Sequence, residues 1–164
     1  MGDQMGNPAT VPVFHSGGNQ GVPDAAHVGH RRCVRARKRA HIVQVRFADR
    51  PCEVGTREGV VHAEAGDAIV TGMFGEHWPV GRDFFDAKYE AVSPLQAGAP
   101  GSYLSLPIEV IATPMHAPFE VVLADGHSRL HGQSGDWLVD YGDGNLGIVN
   151  AEIFKATYEI LEEV

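Results

Sequence analysis

Apolar and polar positions alternate along short stretches of this chain, and the same order of stretches occurs twice. His41–Ala48 (HIVQVRFA) sets Val43, Val45 and Phe47 on one side and Ile42, Gln44 and Arg46 on the other, the period of a half-buried strand. Cys52–Thr56 and Val60–Ala63 flank Arg57-Glu58-Gly59 and predict a hairpin, with glycine supplying a positive φ. Ala68–Thr71 and His77–Val80 predict a second hairpin around Gly75. The spacing then changes, and a short helix is predicted from Arg82 to Tyr89, with Phe84, Phe85, Lys88, Tyr89 and Val92 on one side. Further on, Leu106–Thr113 predicts a strand, and Phe119–Leu123 with His127–His131 a hairpin around Asp125-Gly126. Trp137–Tyr141 and Leu146–Val149 predict another around Asp143-Gly144-Asn145. Asn150 is placed to cap a helix over Ala151–Leu161 that buries Ile153, Phe154, Thr157, Tyr158 and Leu161.

The two series align without a gap. Gly66–Val92 and Gly135–Leu161 match at an offset of 69 residues, with nine of 27 positions identical, Asp67/Asp136, Phe85/Phe154 and Tyr89/Tyr158 among them. Such self-similarity predicts two units of roughly 55 residues, each marginal alone. The expected fold class is α+β: two tandem repeats of mostly antiparallel strands plus one short helix each, packed pseudo-symmetrically. The expected organisation is a flexible arm with a basic segment (1–36), a first repeat (37–92), a linker (93–104) and a second repeat (105–164). The linker assignment rests on SPLQAGAPGS, which is uncharged and rich in Pro, Gly and Ala.

Charge divides the chain unevenly. The net charge is −8, made of +4 over residues 1–39 and −12 over the remainder. A body that acidic repels phosphate, so nucleic-acid binding is not expected except through the basic 31–39 segment (Arg31, Arg32, Arg35, Arg37, Lys38, Arg39). The plainer reading of that run is a solvated approach to the first strand, possible partner of the acidic body. His27 and His30 near Cys33 fall short of a zinc ligand set, so no metal and no cofactor is expected. Cys33 and Cys52, without a CxxC, read as reduced thiols of a cytoplasmic protein. No apolar run approaches the ~18–20 residues that span a bilayer, so no membrane association is expected.

RKRAHIVQVRFA resembles the opening strand of the PGDYG family, a phage- and prophage-associated domain without an agreed activity. AGDAIVTGMFGEHWPVGRDFFDAKYE and SGDWLVDYGDGNLGIVNAEIFKATYE resemble the rest of that pattern, "PGDYIITG..GE.YP" followed by "IFE.TYE". Ala65 and Ser134 stand where the family has proline, and Ala68 replaces an aromatic that Trp137 keeps. The resemblance implies a PGDYG-type domain present as two tandem copies.

No motif of a known catalytic class occurs, so no catalytic residue is assigned. Candidate binding residues come from the repeat. His62 and His131 correspond at the same offset and would converge on a shared cleft if both turned inward, where histidines can bind ligands or carry protons. A strand histidine with one satisfied nitrogen is the plainer alternative. Asp67 and Asp136 follow glycines and read first as turn residues accepting backbone N–H groups. Tyr89 and Tyr158 read as core rings with hydroxyls at the rim. Trp78 and Trp137 occupy non-equivalent positions, an asymmetry expected of a pair in which one copy has diverged to bind. The functional expectation is a non-enzymatic binding or interaction module of phage-related origin, with an unknown small molecule or protein bound between the repeats. The alternative is an enzyme acting on a small metabolite or nucleotide derivative through His62, His131, Asp67 and Asp136.

Overall fold

Strands form where the alternation predicts them. The computed structural model describes residues 11–17 and 32–164. A short strand β1 (Val13–His15) comes first, followed by β2 (Val34–Lys38) and β3 (His41–Phe47). Two hairpins follow, β4 (Cys52–Thr56) with β5 (Gly59–Ala63) and β6 (Ala68–Thr71) with β7 (His77–Val80). Helix α1 (Arg82–Lys88) leads into β8 (Tyr89–Ala91). The order then returns: β9 (Gly101–Ser105), β10 (Ile108–Pro114), the hairpin β11 (Phe119–Val122) and β12 (Arg129–Gly132), and the hairpin β13 (Trp137–Asp140) and β14 (Leu146–Val149). Helix α2 (Ala151–Thr157) and β15 (Tyr158–Glu163) close the chain.

Two five-stranded sheets carry the fold, ordered β7-β6-β3-β9-β8 and β14-β13-β10-β2-β15. The orders correspond strand for strand, but the second-from-last strand of each comes from the other half of the chain. β2 leaves β3 after Arg39-Ala40 and pairs with β10 and β15 (Val110 opposite Ala36, Tyr158 opposite Lys38). β9 leaves β10 after Leu106-Pro107 and pairs with β3 and β8 (Val43 opposite Tyr103, Tyr89 opposite Ser105). At each corner the chain passes from one sheet to the other, and the corner N–H groups bond equivalently, Arg39 to the Thr157 carbonyl at 2.7 Å and Leu106 to that of Lys88 at 2.9 Å. The exchange ties the halves together through strands that neither can supply to itself.

The α+β expectation is corrected. Strands take up 50% of the described residues and helix 10%, so the fold is β-rich. Each helix has only seven residues, about two turns, too short to form a layer of its own. Both stop where a tyrosine turns extended: Tyr89 (φ −134°, ψ 138°) and Tyr158 (φ −119°, ψ 148°). The predicted continuation to Leu161 is instead β15, because Tyr158–Glu163 gains ladder bonds from β2. Residues 34–38, across the boundary between the expected arm and first unit, and 101–105, across that between the expected linker and second unit, are the exchanged strands. Ala36 and Tyr103 there are almost wholly buried. In the remainder of the arm, β1 pairs in parallel with β11, and the buried Phe14 meets Phe119 edge-on at 6.4 Å. Residues 1–10 and 18–31, with His27, His30 and Arg31, lie outside the described residues.

The basic segment pairs with the acidic body, but as a strand in its own right (β2) and not as an approach to one. Arg35 reaches Glu109 (3.4 Å) and Glu162 (3.1 Å), Arg37 reaches Glu109 (3.4 Å) and Arg32 reaches Glu163 (2.8 Å). These are neighbouring strands of one sheet, so part of the chain's charge asymmetry is resolved across ladder partners.

The Asn150 cap forms as expected: its side chain accepts from the N–H groups of Glu152 (2.9 Å) and Ile153 (3.4 Å). At α1 the equivalent position is Gly81, with no side-chain cap. Asn150→Ala should therefore lower stability by about 1 kcal/mol, read as a shift of the urea midpoint at unchanged slope.

Candidate functional site: a cavity shared by the two sheets

A cavity of about 480 Å³ is lined by residues of both sheets and both helices. Small-molecule sites fall in the range of roughly 300–1,000 Å³. Most of its wall is apolar, with Leu106, Ile108, Leu130 and Ile148 among the contributors. Two aromatic pairs also line it, Trp78 with Tyr89 from one sheet and Tyr141 with Tyr158 from the other. Phe85 stacks behind Tyr89 at 4.9 Å, and Phe154 behind Tyr158 at 4.8 Å, so both tyrosines are held from the rear.

Complementary glycines set the other two rings. Trp78 stands on β7 against Gly72, where an added Cβ would strike the Glu76 carboxylate and lie 3.0 Å from the indole. In the second half the sizes are reversed: Tyr141 follows β13 and covers Gly147 of β14, where a Cβ would lie 3.0 Å from the ring. The same space is filled from opposite strands of equivalent hairpins. Trp137 has a comparable explanation. It faces Pro114 across the β10–β13 ladder, whereas at the matching place in the first sheet Phe47 faces Ala68. Its stacking on Phe154 at 4.0 Å stands for that of Phe47 edge-on to Phe85 at 5.4 Å.

Two charged groups of the cavity, Lys38 and Glu58, are displaced from their ordinary ionisation. The Lys38 amine lies 5.7 Å from the centre of the Trp78 ring and 5.9 Å from that of Tyr89. Burial lowers its pKa to about 8, against the favourable charge of Glu76. Burial raises Glu58 to about 7, helped by the charges of Asp136 and Glu76 and opposed by its own backbone N–H and by Arg57. The Glu76 carboxylate accepts from the Phe74 N–H at 3.0 Å. Burial likewise pushes the phenols of Tyr89, Tyr141 and Tyr158 upward. Burial holds His41, also on the cavity wall, below its usual value. Groups perturbed in this way and gathered in one cavity mark a functional-site candidate.

The family described as PGDYG protein matches residues 59–159, more than half of the chain. The chain belongs to the PGDYG family. Neither a curated protein nor a solved structure matches it. The PGDYG span contains both aromatic pairs of the cavity, while Lys38 and Glu58 lie outside it.

Of the residues singled out from the sequence, Trp78, Tyr89 and Tyr158 line this cavity and the other five do not. His62 and His131 sit on strands whose alternate residues, Val61 and Leu130, face the cavity, so the period-2 geometry turns both imidazoles away. They are 40% and 60% exposed and pair with Glu64 (2.8 Å) and Glu120 (3.2 Å). Asp67 and Asp136 close turns, accepting from the N–H groups of Glu64 (2.8 Å) and Gln133 (2.9 Å). The glycines before them take φ of 90° and 99°. Trp137 shares a face of the second sheet with Tyr141 but lies behind Phe154, outside the cavity lining. Among the described residues, no three His, Cys, Asp or Glu side chains gather as metal ligands. Sequence reasoning missed Lys38, Glu58 and Tyr141. Only the tyrosine left a signal, as the large partner of a glycine in a size-reversed pair.

Proposed function

We propose that this PGDYG protein is a small-molecule-binding module whose site is the cavity between its two sheets. The observation that carries the reading is the meeting of two aromatic pairs, Lys38 and Glu58 in one mostly apolar space of ligand size. The rings are braced from behind, as a binding wall requires, and the charged groups are few, as orientation of one ligand requires. The enzymatic alternative draws on His62, His131, Asp67 and Asp136, none of which lines the cavity. A duplicated PGDYG-type unit belongs to the same reading. It is supported by the 69-residue offset, the matching strand orders and the size-reversed aromatic pairs. A phage-related origin rests on the family resemblance. A cytoplasmic location rests on the two free thiols; no helix among the described residues is long and apolar enough to cross a membrane.

The chain has two tryptophans, so Trp137→Phe leaves Trp78 as the sole indole reporter inside the cavity. Screening that variant against a small-molecule library should yield compounds that change Trp78 emission and raise the melting temperature. A ligand at 100 times its Kd stabilises by about 2.7 kcal/mol. A library that moves neither signal would count against the reading.

A further inference from the structure

Lys38 and Ser105 occupy corresponding places in the two sheets. Lys38 lies opposite Ile108 and Tyr158 in its ladders, and Ser105 lies opposite His41 and Tyr89 in the equivalent ones. From that place Lys38 sends its ammonium across the cavity onto the rings of Trp78 and Tyr89, so one aromatic wall carries a cation supplied by the chain. The reciprocal move would send a cation from position 105 onto Tyr141 and Tyr158. Serine is too short to make it. The second wall therefore has the aromatic half of the arrangement without the cationic half.

The negative charges follow the same division. On the first wall Glu76 faces Lys38 and is further satisfied by the Phe74 N–H. Asn145 stands at the matching hairpin position of the second wall: its carbonyl receives the Tyr141 N–H as that of Glu76 receives the Gly72 N–H. Of the two carboxylates that act electrostatically on Tyr141, Asp143 is outside the cavity lining and Glu58 within it, and Glu58 accepts no hydrogen bond from another residue's side chain among those described. Burial works against its charge, and the favourable charge of Arg57 offsets that only in part.

We propose that the cavity takes a protonated organic amine, its ammonium lying against Tyr141 and Tyr158 beside Glu58 and its apolar stem filling the rest of the space. The inference rests on the binding reading above and adds the ligand's chemical class. It treats the ligand as the missing counterpart of Lys38, a cation on an apolar stem meeting rings and a carboxylate.

The test compares hexylamine, hexanol and hexanoate, which share a stem and differ in the head group, by calorimetry on the full chain. Hexylamine should bind, and hexanol and hexanoate should bind at least tenfold more weakly. Glu58→Gln should weaken the amine about tenfold, the scale of losing a charged partner. Ser105→Lys should abolish amine binding by placing a second built-in ammonium on the vacant wall, with the melting temperature showing that the variant folds. Amine affinity should rise as pH passes upward through about 7, where Glu58 ionises. Arg57, Glu76, Asp136 and Tyr141 also act on Glu58 and remain in Glu58→Gln, so that variant should lose the rise near 7 and keep only the change near 8 at which Lys38 gives up its proton. Amine binding that survives both substitutions overturns the proposal, as does equal or tighter binding of hexanoate. Binding of hexanol or hexanoate alone would still support a ligand cavity while rejecting the amine. If no probe binds, the amine is rejected and the Trp78 screen judges the cavity separately.

Discussion

Phe154→Ala is expected to cost about 3–5 kcal/mol, as large core truncations do. The ring lies between Trp137 (4.0 Å, 12° between planes) and Tyr158 (4.8 Å, 7°), and it is only 3% exposed. Removing it leaves a void between two aromatic rings and takes away the support of a cavity wall. The loss is a large share of the stability of a protein this size. Phe85→Ala should cost a comparable amount, since Phe85 is 1% exposed and meets Phe47, Tyr89 and Tyr103 within 5.4 Å. Urea denaturation of both variants reads the result. A change under about 1 kcal/mol in each, the scale of surface substitutions, would mean that the rings do not anchor the cores of their sheets.

The second large effect concerns the exchanged strands. Split between Gln96 and Ala97, in the exposed connection before β9, the chain should yield two fragments that do not fold separately. The first would lack β9, leaving β3 without one neighbour and Phe47 and Phe85 without the buried Tyr103. The second would lack β2, leaving β10 and β15 without the strand between them. Mixed together, they should recover a single cooperative unfolding transition and co-elute on gel filtration. Each half would then fold only on the strand the other provides, a cost in chain entropy that one covalent chain reduces. A cooperative transition in either fragment alone would show that the exchange is dispensable.

The corrections share a cause. Alternation places strands well because the period of a strand is local, and His41–Phe47, Ala68–Thr71 and His77–Val80 end within a residue of where the pattern puts them. It does not say which strand lies alongside. Val34–Lys38 reads as the basic end of an arm because its arginines dominate, yet it is a strand of the other half's sheet, its charges met by Glu109 and Glu162 on the neighbouring strands. Tyr158 fits the helical spacing of Phe154, but the ladder offered by β2 draws it into an extended conformation while the two rings stay stacked. The candidate site follows the same rule. Tyr89 and Tyr158 were legible as buried rings at matching positions, whereas matching positions could not tell whether His62 and His131 face in or out.

By itself, then, the chain's order of apolar and polar residues determined the elements, their recurrence at an offset of 69 residues, the Asp-closed turns and the Asn150 cap. All of these depend on interactions within a few residues or on one segment compared with another. Tertiary structure alone decided the exchange of β2 and β9, the helix ends, the outward histidines and the cavity in which Lys38 meets Trp78 and Tyr89. Each of those is a choice of partner between segments far apart in the chain. Such a choice depends on which arrangement buries the most apolar surface and satisfies the most backbone groups at once, and no local pattern records it.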